Sequence, residues 1–234
     1  MSIEWSQAVD TVLPSVVRIH SPSGSGTGFL VSSAPTGLIA IATASHVIAD
    51  AHYWEQPLKI VHHLSGRTKF LRANERSIFL EESDDTGAIV FDRGELPLPA
   101  QPLELAPEGK FLKVGKEIGW VGFPSVEPTQ PCFFSGKISA LRRGGKEYLV
   151  DGVAVNGVSG GPAFWNGGEQ VMLIGVLSAY IPNRSTGATL PGLSVVQNVE
   201  QFHLVARAFS NIKEAKKTEV HSEQPPTAAP DGET

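Results

Sequence analysis

Apolar residues in this chain fall in short runs punctuated by glycine and proline, the pattern of β-strands joined by tight turns. The first residues differ: 3–13 place apolar side chains at helical spacing, which predicts a short amphipathic helix stopped by Pro14. From Ser15 onward strands are predicted over 16–20, 27–32, 38–43, 58–62, 68–73, 77–80 and 86–91. Residues 93–110 carry Pro97, Pro99, Pro102 and Pro107 and read as an extended connector. A second strand series follows over 117–121, 132–141, 148–155, 162–164, 171–178 and 189–196, with Gly144-Gly145 as a hairpin turn. Apolar residues then return at helical spacing (Phe202, Val205, Ala206, Phe209, Ile212), which predicts a helix over 199–217. Residues 218–234 turn rich in Pro, Ala and acids and are expected to form a disordered tail. The expectation is an all-β molecule of two antiparallel units, a first over about 13–95 and a second over about 112–198, with a helix at each end.

Composition narrows the function. At 234 residues, with 41% hydrophobic and 18% charged side chains, the chain can bury one substantial core or two small barrels that share one. A net charge of -5 and a pI near 5.8 offer no basic footprint, so nucleic acid is not an expected partner. No run is apolar and long enough to span a membrane, and no charged-then-apolar leader opens the chain. Cys132 is the single cysteine, so no internal disulfide can form. Together these fit a soluble protein of a reducing compartment, the cytoplasm being the expected location.

Three short segments carry candidate chemistry: Thr43-Ala44-Ser45-His46-Val47-Ile48, then Asp84-Asp85-Thr86-Gly87-Ala88, then Gly157-Val158-Ser159-Gly160-Gly161-Pro162. A serine hydroxyl is a poor nucleophile at neutral pH unless a positioned imidazole takes its proton. The imidazole in turn needs an acid that fixes its tautomer and stabilises its charged form. Ser159, His46 and one of the two aspartates supply those groups. The glycines beside Ser159 let the backbone turn sharply, so that the N–H groups of Gly157 and Ser159 can converge on one oxyanion. Gly-x-Ser-x-Gly also occurs in α/β-hydrolases, but that fold needs its acid and then its histidine after the serine. Here the histidines that follow are His203, on a helical pattern, and His221, in the tail, the only aspartate is Asp231, and strand texture rather than helix follows the serine.

The chain resembles the trypsin-like (chymotrypsin-fold) serine proteases, and among them the HtrA/Deg branch. The resemblance runs from about Trp5 to Phe209. It takes in Leu13-Pro14-Ser15-Val16-Val17-Arg18-Ile19, the hairpin Gly24-Ser25-Gly26-Thr27-Gly28-Phe29-Leu30-Val31, the three segments above, and Asp151-Gly152-Val153-Ala154-Val155-Asn156 before the serine. It implies two antiparallel six-stranded β-barrels with the site in the cleft between them. It also implies a catalytic triad of His46, Asp85 and Ser159, with Asp84 as the alternative acid, and an oxyanion hole made by the Gly157 and Ser159 N–H groups. By position, Val153 would lie at the base of the pocket for the side chain preceding the cut. Ser178, Ala179 and Tyr180 would lie on the strand that binds substrate, Ser178 also near the acid. A valine floor predicts cleavage after small or medium uncharged residues. Val158 stands where zymogen-activated trypsins carry an aspartate, so activation by a newly cut N-terminus is not expected. A PDZ domain after Phe209 is not expected.

The remaining polar residues have plainer readings. His20, His52, His62, His63, His203 and His221 are expected to pack or to face solvent. His62 and His63, as neighbours on a strand, point to opposite faces and form no metal site. Arg142-Arg143-Lys146 reads as a solvated hairpin tip, and Glu81-Glu82 as loop surface. No cofactor or metal is expected. The expected partner is a protein or peptide substrate; a regulatory protein stays open. The alternative is a catalytically silent trypsin-fold binding or scaffold protein, which would require a distorted site.

Overall fold

A computed structural model describes residues 3–182 and 189–222, with side chains over 3–178 and 192–211. The N-terminal amphipathic segment forms α1 (Trp5–Val12), whose Ala8 and Val12 are fully buried. Trp5 lies against Phe133 and Phe164, with ring centroids 5.3 and 5.9 Å away, so α1 seals the second half of the molecule. Pro14 ends the helix in one 3-10 turn, and the first strand begins at once.

The first half consists of β1 (Val16–Ser21), β2 (Gly24–Ser33), β3 (Leu38–Thr43), α2 (Ser45–Tyr53), β4 (Leu58–His62), β5 (Thr68–Leu71), β6 (Arg76–Glu81) and β7 (Thr86–Asp92). β4 shows why such runs are strands: Leu58, Ile60 and His62 alternate inward while Lys59 and Val61 are partly exposed. α2 differs from the sequence expectation, which carried no helix there. Ser45, Ile48 and Ala51 recur every three residues and bury one face of this short helix. The seven strands lie in the order β5-β4-β1-β2-β3-β7-β6, antiparallel throughout, and curl around Ile19, Leu30, Ile41, Ile89 and Phe91. Among the described residues β5 and β6 do not pair, so this sheet is a curled half-barrel. The Arg76 guanidinium works at its opening, donating to the carbonyls of Leu71 (2.7 Å), Ala51 (2.9 Å) and Gln56 (2.5 Å).

The second half consists of β8 (Glu104–Leu105), β9 (Glu117–Gly122), β10 (Cys132–Arg142), β11 (Glu147–Asp151), β12 (Pro162–Trp165), β13 (Met172–Pro182) and β14 (Thr189–Asn198). β12, β9, β10, β11, β14 and β13 follow one another, and β13 pairs back to β12, so this unit is a closed six-stranded antiparallel barrel. β8 lies inside the proline-rich connector and pairs in parallel with β13. β11 stops at Asp151, where a strand was predicted to continue through Val155; residues between Gly152 and Gly161 form the loop that carries the serine.

α3 (Glu200–Ser222) runs past the predicted end at residue 217. Phe202 and Phe209 are buried, and Phe202 meets Phe29 of β2 edge-on with centroids 6.0 Å apart. The helix thus leaves the second half and packs on the first. Residues 223–234, most of the expected tail, lie outside the described residues. Among the described residues no helix is long and apolar enough to cross a membrane.

Candidate active site

His46 is the second residue of α2, and Asp85 directly precedes β7, so both come from the first half. Asp85 closes a 3-10 turn (Glu82–Asp84) in the left-handed region, with φ 45° and ψ 46°. Its carboxylate collects four donors. His46 Nδ1 lies 3.0 Å from Oδ1 and 2.9 Å from Oδ2, and the His46 backbone N–H donates to Oδ1 over 3.1 Å. The Ser45 hydroxyl donates to Oδ1 over 2.8 Å, and the Ser178 hydroxyl, from β13 of the other half, to Oδ2 over 2.5 Å. Burial alone would push this carboxyl up. The hydrogen bond and charge of His46, with Ser178 and the His46 N–H, outweigh it and hold the pKa at about 2. Asp85 is therefore ionised at any pH near neutral, and Nδ1 of His46 carries the proton it donates. Nε2 is left as the basic nitrogen of the neutral ring.

Asp84, the alternative acid, turns the other way. It lies 2.7 Å from Arg143 and 3.7 Å from Lys146, on the β10–β11 hairpin of the second half. Arg143 also donates to the Ser83 carbonyl over 2.7 Å. The basic cluster is therefore not merely the solvated tip that the sequence suggested, because Arg143 and Lys146 meet an acid across the seam. Arg142 pairs instead with Glu147 on its own hairpin, over 2.9 Å.

Ser159 comes from the loop before β12, and β2 of the first half positions it. The Thr27 N–H donates to the Ser159 carbonyl over 2.8 Å, and the Thr27 hydroxyl donates to the Gly157 carbonyl over 2.9 Å. That hydroxyl also accepts from the Phe123 N–H over 3.0 Å, and Thr43 donates to the Thr27 carbonyl over 2.7 Å. The glycines are dictated by this crowding. Gly157 and Gly160 have φ of 91° and 85°, and a Cβ on them would come within 2.3 Å of the Phe123 carbonyl and 2.1 Å of the Thr27 carbonyl. Val158 between them is fully buried in the main core.

The Asn156 carbonyl accepts from the Ser125 N–H over 2.7 Å. Because the peptide is trans, the Gly157 N–H points the opposite way, away from Ser125. Among the described residues neither the Gly157 nor the Ser159 N–H is taken up by a backbone acceptor. His46, Ser159, Gly157, Asn156, Ser125 and Ser25 line one cavity of about 520 Å³. Among the described residues no hydrogen bond joins the His46 ring to the Ser159 hydroxyl.

Of the residues assigned to substrate binding, Ser178 touches Asp85 as expected from its position. Val153 is 49% exposed in the loop after β11 and does not line the cavity that holds Ser159. Ala179 and Tyr180 lie on β13, opposite Val195 and Ser194, and their side chains fall outside the described residues. Sequence reasoning gave no role to Ser45 or Thr27, and it read Asp84's partners, Arg143 and Lys146, as a solvated hairpin tip. A hydroxyl directly before His46 was a visible signal, whereas Thr27 and Arg143 act through contacts 130 and 60 residues away. Two other histidines are structural: His62 donates from Nε2 to the Pro14 carbonyl over 3.1 Å, and His203 to that of Ala106 over 2.8 Å.

The trypsin-like peptidase domain model matches residues 26–176, which include all three segments. The chain belongs to this family. Among curated relatives, pro-apoptotic serine protease NMA111 of Ajellomyces capsulatus (strain NAm1 / WU24) is 30% identical over 156 residues, covering 63% of this chain and 14% of the relative. Its namesake in Coccidioides immitis (strain RS) matches with the same identity and coverage. The chain thus spans about a seventh of these relatives' length. In fold, the trypsin-like chain is similar to the serine endoprotease of Yersinia pestis, with a TM-score of 0.62 at 19% identity over 92% of this chain and 69% of the other. An inactive serine-to-alanine mutant of Rv3671c from M. tuberculosis H37Rv gives a TM-score of 0.58 at 18% identity, covering 96% and 97%.

Proposed function

We propose that this trypsin-like domain is a serine endopeptidase that cuts peptide bonds with His46, Asp85 and Ser159 through an acyl-enzyme. The observation that carries the reading is the Asp85 carboxylate, which grips both the ring and the backbone of His46 and is itself held by Ser178 from the opposite half. Nε2 of His46 takes the proton as Ser159 Oγ attacks the substrate carbonyl carbon. The N–H groups of Gly157 and Ser159 receive the developing oxyanion, a role supported by their freedom from backbone acceptors. The imidazolium then protonates the leaving amine. A water deprotonated by the same nitrogen releases the acyl group, and Ser159 regains its proton. Asp85 stays ionised throughout and stabilises the imidazolium.

Cleavage after small or medium uncharged residues belongs to this reading. It is supported by the absence of any acid among the described residues from Gly152 to Ser159, so a buried Lys or Arg would find no partner there. The second reading, a catalytically silent scaffold, is favoured by the missing hydrogen bond between His46 and Ser159. Relaxed contacts of this kind also occur in active enzymes before substrate binds.

A peptide-library digest with fluorophosphonate labelling separates them. The wild type is expected to label and to cut after residues such as Ala, Val or Leu, and Ser159→Ala to do neither while keeping its melting temperature. A folded wild type that neither labels nor cuts supports the scaffold; a preference for Arg or Lys overturns the pocket assignment.

A further inference from the structure

Asp85 holds His46 from a backbone conformation that an aspartate adopts at a cost, so something must pin the turn that precedes it. The turn Glu82–Asp84 packs against the β10–β11 hairpin of the other half. There Arg143 contacts Asp84 over 2.7 Å and donates to the Ser83 carbonyl over 2.7 Å, so one guanidinium grips two successive residues. Lys146 stands 3.7 Å from the other Asp84 oxygen. Asp84 is 8% exposed, and Arg143 too has a left-handed backbone, with φ 49°, as the hairpin bends to reach the turn. We propose that Asp84 and Arg143 form a positioning clamp, built across the two halves, that fixes the Asp85 turn and through it the orientation of His46. The inference rests on the triad reading for its catalytic consequence, but not for its structural one.

A plain surface ion pair would behave differently. Arg143 and Lys146 are 41% and 50% exposed, so as isolated charges they would contribute little. The clamp's effect comes instead from geometry: Asp85 follows Asp84 directly, and a small displacement of its carboxylate separates it from Nδ1 of His46. Other charged groups face the same turn. Lys146, Glu200 at the start of α3 and Asp84 line a small polar cavity with Thr86 and Gln197, and Glu82 is hydrogen-bonded by Tyr53 of α2. None of these bridges from the second half to both Ser83 and Asp84 as Arg143 does.

The sign of a histidine titration tests the clamp without requiring turnover. Removing the positive charge in Arg143→Met would, by electrostatics alone, raise the His46 pKa. Loosening Asp85 from the imidazolium lowers it. We expect NMR titration of the full chain, with His46 assigned by its absence from His46→Gln, to show a lower His46 pKa in Arg143→Met, where charge removal and the clamp act in opposite directions; Asp84→Asn is read by turnover, because losing that acid lowers the His46 pKa by electrostatics as well. In active protein, both variants are expected to lose kcat roughly tenfold to a hundredfold with KM nearly unchanged. The double variant should be little worse than either single one, because both act through one contact. Arg143→Lys keeps the charge but not the two-pronged reach, and serves if the methionine variant fails to fold; it should show an intermediate loss. An unchanged or raised His46 pKa in folded Arg143→Met, or in Arg143→Lys where it stands in, overturns the clamp. If the wild type does not label with fluorophosphonate, the peptidase reading falls, and the titration still decides the clamp.

Discussion

Asp85 concentrates the electrostatics of the site. Its carboxylate is only 24% exposed yet held at about 2, because the His46 and Ser178 contacts more than offset burial. A carboxyl depressed from 3.8 to about 2 stabilises the fold by on the order of 2 kcal/mol. That contribution is complete above the unfolded-state value and is lost as pH falls through about 2. Asp85→Asn removes the titration, so the stability gap between wild type and variant is expected to shrink between about pH 5 and pH 2.5 in urea unfolding. An equal gap at both pH values would place the depressed carboxyl elsewhere. Turnover in the same variant is expected to fall roughly 10⁴-fold, since an asparagine cannot hold the ring in the required tautomer. The two neighbouring acids show what sequence left open at this scale. Nothing local separates Asp84 from Asp85; one residue's change of backbone direction sends one carboxylate to His46 and the other to Arg143.

At the scale of elements, strands with alternating burial, such as β4, were readable from their pattern, as were α1 and α3. α2 was not, because its buried face comprises only Ser45, Ile48 and Ala51, too few to outweigh the strand run before it. β8 was hidden for a related reason: two residues among prolines pair only because β13 offers an edge. α3 was predicted by spacing, but the surface it covers was not. Phe202 is 1% exposed and lies against Phe29 of the first half. Phe202→Ala is expected to cost about 3–5 kcal/mol in urea unfolding, as for a large side chain removed from a packed core. A loss under about 1 kcal/mol would mean that α3 rides on the surface.

Across the whole molecule, the site depends on contacts that join the halves: Ser178 to Asp85, Arg143 to Asp84, and Thr27 to the Gly157–Ser159 loop. Thr27 is fully buried and its hydroxyl serves both the Gly157 carbonyl and the Phe123 N–H. Thr27→Val keeps the shape but strands both groups, at a cost of about 1–3 kcal/mol. Fluorophosphonate labelling of Ser159 is expected to slow in the same variant, whereas unchanged labelling would show that the loop holds its own shape. The sequence by itself determined the strand-rich class, the helices at the ends and the three segments with their glycines, because periodicity, turn chemistry and the steric demand for glycine are local. Tertiary structure decided that one sheet closes and the other stays open, which aspartate meets His46, and which distant hydroxyls and cations hold the loops. Those outcomes rest on hydrogen bonds and charge contacts between residues dozens of positions apart, and such geometry exists only once both halves have packed.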